Sequence, residues 1–248
     1  MFAILDPMTL VTLDDHALVL VLLPGLDGTG KLLRAICEAL TGRIDTQVIA
    51  YPTDQPLGYA ELSQFVTARL PSRPFVLLGE SFSGPIAIRL AAKPPPALKG
   101  LILCGTFGKN PYPWLGWAKS LASWVPIKSL PRWLRAPLMW GARSPQRAPR
   151  QVDRAIAAVD ARVLRRRVAE ILSANEREHL VSITLPTLVL SARRDRVLSR
   201  NATRWLLHHL PHAQHVEIDG PHLLLQTCPQ ECAAQIAAFM HRPNATAA

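Results

Sequence analysis

Short apolar runs alternate with amphipathic segments along most of this 248-residue chain. "ALVLVLLPG" (17–25) is almost continuously apolar, the pattern of a strand buried on both faces. "KLLRAICEAL" (31–40) spaces its apolar residues at helical intervals instead. The alternation continues, with strands expected at 46–52, 75–81, 98–107, 187–195 and 215–219. Helices are expected at 58–70, 83–93, 199–210 and 229–240. Strand and helix repeating in turn predict an α/β architecture, a mostly parallel sheet with helices on both faces. The first dozen residues are read as a further edge strand.

Residues 108–184 break this rhythm. The stretch is rich in Pro, Trp and Arg and holds Trp114, Trp117, Trp124, Trp133 and Trp140, five of the six tryptophans. Within it, "QVDRAIAAVDARVLRRRVAEIL" (151–172) reads as a helix with one apolar face. The expected organisation is a core of 1–107 and 185–248 carrying a helical cap at 108–184. The cap's tryptophans and leucines either line an apolar tunnel or form the cap's own core.

Composition narrows the class. A chain that is 49% hydrophobic can bury a substantial core. The net charge is +10, and residues 109–172 hold 13 Lys or Arg against three acids, so this one segment carries the basic excess. It is either a solvated helical surface or a docking face for an acidic partner. Nucleic acid is not the expected partner, because the tryptophans sit among apolar helix residues rather than on a basic strand face. "MFAILDPMTL" lacks a basic n-region and a long apolar h-region, and no apolar run reaches a spanning length of about 18 residues. A cytoplasmic location without a transmembrane segment is expected. Cys37, Cys104, Cys228 and Cys232 form no C-x-x-C and are expected as reduced thiols.

Two loops carry candidate chemistry. In "LPGLDGTGK", Gly25, Gly30 and Lys31 have the G-x-x-x-x-G-K spacing of a phosphate loop. Such a loop requires Ser or Thr next, to hold Mg²⁺, and position 32 is leucine. The second, "FVLLGESFSGPIAI", places Gly79-Glu80-Ser81-Phe82-Ser83-Gly84 where a buried strand meets a helix. A nucleophile at the apex of that turn needs small residues two before and two after it. Gly79 and Ser83 satisfy this, with Ser83 replacing the more usual glycine.

A serine hydroxyl needs a base, and the base needs an acid to fix its tautomer. His222 follows the last strand in the turn "DGPHLLL" and stands apart from His208, His209, His212 and His215. Asp195 ends the preceding strand, with Glu217 and Asp219 as rivals on the strand that leads to His222. The order Ser81, Asp195, His222 is the chain order of a known fold.

These motifs resemble the α/β-hydrolase superfamily over about residues 18–240, with the insertion where its members carry a cap. Within it the chain is most similar to small bacterial carboxylesterases and carrier-protein methyl ester esterases. "LPGLDG" also resembles the opening of certain plant esterase/acyltransferase proteins. The resemblance implies an oxyanion hole made by the N–H groups of Leu26 and Phe82. It implies hydrolysis of carboxylic esters through an acyl-enzyme, without cofactor or metal. Acyl transfer to an alcohol and thioester hydrolysis are alternatives for the same triad, and a binding protein on a hydrolase scaffold is a third. Arg165, Arg166 and Arg167 are the candidate docking residues for an acyl carrier protein, the phosphates of a coenzyme A thioester or an anionic lipid surface.

Overall fold

The computed structural model describes residues 18–114 and 148–241. The expectations for the first dozen residues and for Trp117, Trp124, Trp133 and Trp140 lie outside the described residues. Six strands form one parallel sheet: β1 (Val19–Leu23), β2 (Asp45–Val48), β3 (Phe75–Glu80), β4 (Leu98–Cys104), β5 (Thr187–Ala192) and β6 (Gln214–Ile218). Their order is β2-β1-β3-β4-β5-β6. The order therefore reverses between β1 and β3, and in open parallel sheets the crevice beyond the strand ends at such a point is where ligands bind.

The apolar runs explain the burial. Val19, Val21 and Leu23 of β1, with Phe75 and Leu77 of β3, face a core closed by α2 (Tyr59–Thr67) and α3 (Gly84–Ala92). Leu20, Leu22, Val76 and Leu78 face the opposite way, against α1 (Arg34–Leu40) and the last helix (Pro229–Met240). Every side chain of β1, β3 and β5 is buried, as a strand covered on both faces requires.

The insertion between β4 and β5 contributes α4 (Ala148–Ala157), α5 (Ala161–Ser173) and the short α6 (Arg177–Leu180). Val152, Ile156, Val159, Val163 and Leu164 form an apolar cluster with Leu223, and Leu26 and Leu32 of the core pack against it. Its two ends are stitched together. Glu176 N–H donates to Gly108 C=O (2.7 Å), and Asn110 N–H to Ala174 C=O (2.8 Å). Glu176, with a fully buried side chain, receives Arg89 of α3 through both carboxylate oxygens, at 2.8 and 2.9 Å. Trp114 is 70% exposed and so does not line an enclosed tunnel.

After β5 come α7 (Arg200–His209), β6, α8 (Leu224–Thr227) and α9 (Pro229–Met240). The one-turn helices α6 and α8 were not legible in the sequence pattern, being too short to show a period. All four cysteines are free, with Cys104 and Cys232 buried. Among the described residues, no helix is long and apolar enough to cross a membrane.

Removing one partner of a buried ion pair strands the other, at a cost of about 3–5 kcal/mol. His179 Nδ1 remains 2.8 Å from Glu176 Oε2, so Arg89→Met should lower unfolding stability by about 3 kcal/mol, the lower end of that range, read as a shift in the urea midpoint.

Candidate active site

The ends of four strands, β1, β3, β5 and β6, meet at the crevice. β3 ends at Glu80, and the chain turns sharply through Ser81–Ser83 into α3. Ser81 has φ +48°, in the left-handed region, the one non-glycine residue with positive φ among the described residues. Such a conformation costs about 1–3 kcal/mol and persists only where the surroundings enforce it. Here they do. A Cβ on Gly79 would lie 2.8 Å from both Ala87 Cβ and Ser83 O. One on Gly84 would lie 1.9 Å from Thr106 Oγ1, whose hydroxyl donates to the Ser81 carbonyl. Helix, strand and turn thus approach as closely as glycine allows.

The replacement of glycine by Ser83 has a physical reason. Its buried hydroxyl donates to the Pro24 carbonyl, which leaves it to accept from Tyr51 O–H at 2.6 Å. The elbow is thereby bonded to the loop after β1. Burial drives the Tyr51 phenol well above its ordinary pKa, so it stays neutral and donates.

Ser81 Oγ lies 3.0 Å from His222 Nε2, and His222 Nδ1 lies 2.8 Å from Asp195 Oδ2. Asp195 accepts Nδ1–H, which leaves Nε2 as the proton acceptor facing the serine. The other carboxylate oxygen, Oδ1, accepts the N–H groups of Val197 (2.7 Å) and Leu198 (2.8 Å), fixing the carboxylate plane. The rivals are engaged elsewhere: Asp219 pairs with Arg194 at 3.1 Å and Glu217 approaches Arg193 at 3.8 Å, both on the surface. The His208–His212 group lies at the end of α7, away from the triad. Among the described residues, no cluster of His, Cys, Asp and Glu is placed to hold a metal ion.

The loop after β1 lies over the nucleophile. A Cβ on Gly25 would sit 3.9 Å from Ser81 Cβ and 3.6 Å from Glu80 Oε2. Residues 25–28 form a turn closed by Gly28 N–H to Gly25 C=O (3.0 Å). The N–H of Leu26 has no acceptor among the described residues. Phe82 is fully buried beneath, its ring stacked on Tyr59 with centroids 4.9 Å apart. Lys31 is an exposed residue opening the first helical turn; of the loop's glycines, Gly25 approaches the nucleophile, whereas a Cβ on Gly30 would meet Val48 Cγ1 of β2 at 2.6 Å.

Two buried polar groups, Glu80 and Arg167, have contacts that the sequence pattern does not show. Glu80, directly before the nucleophile, accepts Gln226 Nε2–H (2.8 Å), and its Oε2 lies beside Gly25. Burial pushes its carboxyl up to about 7, opposed by the hydrogen bond from Gln226. Arg167, grouped with Arg165 and Arg166 as a docking residue, is 1% exposed and faces the loop after β1 instead. This corrects the expectation for Arg167: position 167 falls on the apolar stripe of α5, beside Val163 and Leu164. Arg165 is half-buried, and Arg166 is exposed but paired with Glu170 at 3.0 Å. In sequence, an arginine within a run of three carries no mark of burial.

The Glu80 environment predicts a pH dependence. A carboxyl raised from 4.5 to about 7 on folding binds its proton more tightly in the native state. Its contribution is therefore fully present below pH 4.5 and lost as pH rises through 7. Glu80→Gln should flatten this decline, which is on the order of 3 kcal/mol, in urea midpoints measured between pH 4.5 and 8.

Comparison with known proteins agrees with this geometry. The structure is similar to an enol-lactonase from Burkholderia xenovorans, with TM-score 0.78, 17% identity and coverage of 92% of each chain. It is similar to an esterase from Exiguobacterium antarcticum, with TM-score 0.77, 13% identity and coverage of 92% of this chain and 93% of that one. A hydrolase from Pseudomonas aeruginosa gives TM-score 0.76 at 20% identity, covering 92% of this chain and 91% of that one. No curated protein sequence matches the chain significantly. Residues 58–221, more than half of the chain, match the profile of the family described as Serine aminopeptidase, S33. That stretch includes Ser81 and Asp195 and ends one residue before His222. With a Ser81–His222–Asp195 triad on an α/β-hydrolase fold, the chain is a serine hydrolase and belongs to the Serine aminopeptidase, S33 family.

Proposed function

We propose that this serine hydrolase cleaves carboxylic esters with an apolar acyl half, using the N–H groups of Leu26 and Phe82 as its oxyanion hole. The observation that carries the reading is the relay Ser81 Oγ–His222 Nε2–Asp195 at 3.0 and 2.8 Å, on an elbow facing the loop of Gly25 and Leu26. His222 takes the Ser81 proton as Oγ attacks the ester carbonyl. The carbonyl oxygen becomes an oxyanion, and two N–H donors stabilise it by about 2.7–4 kcal/mol each. Asp195 holds the imidazolium that forms. The ion then protonates the leaving alcohol, and water, deprotonated by His222, releases the acid through a second oxyanion.

The apolar side chains packed around Leu26 support an apolar acyl group. An ester or lactone bond is also what the names of two similar structures describe. The family description names a peptidase, which attacks an amide with the same triad. An acyl-carrier or other acidic acyl donor is the finer reading. Its support is the basic surface of α4 and α5, where Arg150, Arg154 and Arg166 are exposed and Arg165 is half-buried. Arg166 already shares Glu170 and Glu61, so the attraction rests chiefly on the other three.

A panel of p-nitrophenyl esters of rising chain length, an aminoacyl p-nitroanilide and an acyl-carrier methyl ester tests this. Ester turnover is expected throughout the panel, and Ser81→Ala should lower it by about 10⁴-fold or more. Anilide cleavage without ester cleavage would overturn the ester reading. If a carrier docks on the insertion, KM for the carrier ester should rise steeply with salt while KM for a short ester stays constant.

A further inference from the structure

We propose that Arg167, carried by the insertion, is a positioning residue for the oxyanion hole and makes formation of the hole depend on docking of the insertion. The proposal rests on the oxyanion hole at Leu26 proposed above. Arg167 Nη1 donates to the carbonyls of Leu26 (2.9 Å) and Asp27 (2.7 Å), and Nη2 donates to that of Pro52 (3.0 Å). Leu26 and Asp27 are the two corner residues of the turn closed by Gly28 N–H and Gly25 C=O. One guanidinium therefore holds both corner carbonyls, and with them the turn from which the Leu26 N–H projects.

The rest of the loop is held from the core side. Pro24 C=O is taken by Ser83 and Gly28 C=O by Tyr51 N–H (2.7 Å), while Glu80 Oε2 lies beside Gly25. Only the corner depends on the insertion. If the corner relaxed, the Gly28 N–H bond that fixes the Gly25 carbonyl would be lost with the turn, and the peptide between Gly25 and Leu26 could then turn over, presenting that carbonyl where the oxyanion needs a donor. A planar fork suits this task, because two carbonyls on one side and a third on the other are reached without rotating the group.

Packing alone does not account for Arg167. A buried guanidinium is costly unless paired, and among the described residues no carboxylate lies within ion-pair distance of it. Its Nε is left without an acceptor among the described residues. Its Cζ instead lies over the rings of Tyr51 and Phe82, 5.6 and 5.9 Å from their centroids. The core makes room for it: Gly28 has φ +68°, and a Cβ there would lie 2.5 Å from Arg167 Nη1. The cation also stands beside Phe82, whose N–H is the second donor, so its field has the sign that favours an oxyanion.

The test compares wild type with Arg167→Met, Arg167→Lys and Arg167→Ala on a short p-nitrophenyl ester. It also measures affinity for an aryl trifluoromethyl ketone, which adds reversibly to Ser81 as a hemiketal oxyanion. Arg167→Met should lower kcat by about 10²–10³-fold, the loss typical of one oxyanion donor, with KM changed less than about threefold. Ketone affinity should fall by the same factor. Arg167→Lys should recover part of both, and added guanidinium should restore part of kcat in Arg167→Ala. A folded Arg167→Met that keeps kcat and ketone affinity within about threefold of wild type overturns the proposal, as does a fall in kcat with unchanged ketone affinity. Should Arg167→Met not fold, Arg167→Lys decides by the same comparison of kcat with ketone affinity. If wild type forms no hemiketal oxyanion at all, the reading of the hole has failed rather than the role of Arg167.

Discussion

The left-handed backbone of Ser81 is the constraint around which the crevice is built. A serine at φ +48° is held there by contacts with no slack: Gly79 under Ala87, Gly84 against Thr106, and the Thr106 hydroxyl on the Ser81 carbonyl. The reward is directional. The nucleophile leaves the end of a fully buried strand and meets His222 Nε2 at 3.0 Å. The strain is tolerable because β1 and β4, the neighbours of β3, are themselves packed on both faces.

The polar groups beneath the crevice are arranged by the same economy. Ser83, Tyr51 and Glu80 are buried: the first two bond the elbow to the loop after β1, and Glu80 beneath them accepts Gln226 of α8. Arg167 reaches the same loop from the other direction, across the seam between insertion and core. Among the contacts that anchor the insertion are, first, a bidentate Arg89–Glu176 pair at its end and, second, arginine–carbonyl bonds above the nucleophile. The first anchor places a helix; the second touches the machinery.

Strand order explains why residues so far apart in sequence meet. Parallel pairing puts the C-terminal ends of β1, β3, β5 and β6 on one edge, so Gly25, Ser81, Asp195 and the turn holding His222 share a crevice. Asp195 and His222 follow neighbouring strands, and although 27 positions apart in sequence they close into a 2.8 Å contact.

Much of this was legible in the sequence for definite reasons. The buried strands announce themselves by unbroken apolar runs, and the elbow by glycine at 79 and small residues at 83 and 84, because the turn admits little else. Chain order then orders Ser81, Asp195 and His222, although Asp219 and Glu217 remain rivals until their arginine partners are seen. What the chain alone could not decide was the fate of its polar residues. Glu80, Tyr51 and Ser83 carry no period and no spacing that marks them as one network. Arg167 looks, in sequence, like the third of three surface arginines. Their roles depend on which groups lie across a gap of a few ångströms, and that distance exists only once sheet, loop and insertion have packed together. Local patterning determines which segments form and which faces they bury; only the tertiary structure decides which buried donor meets which carbonyl.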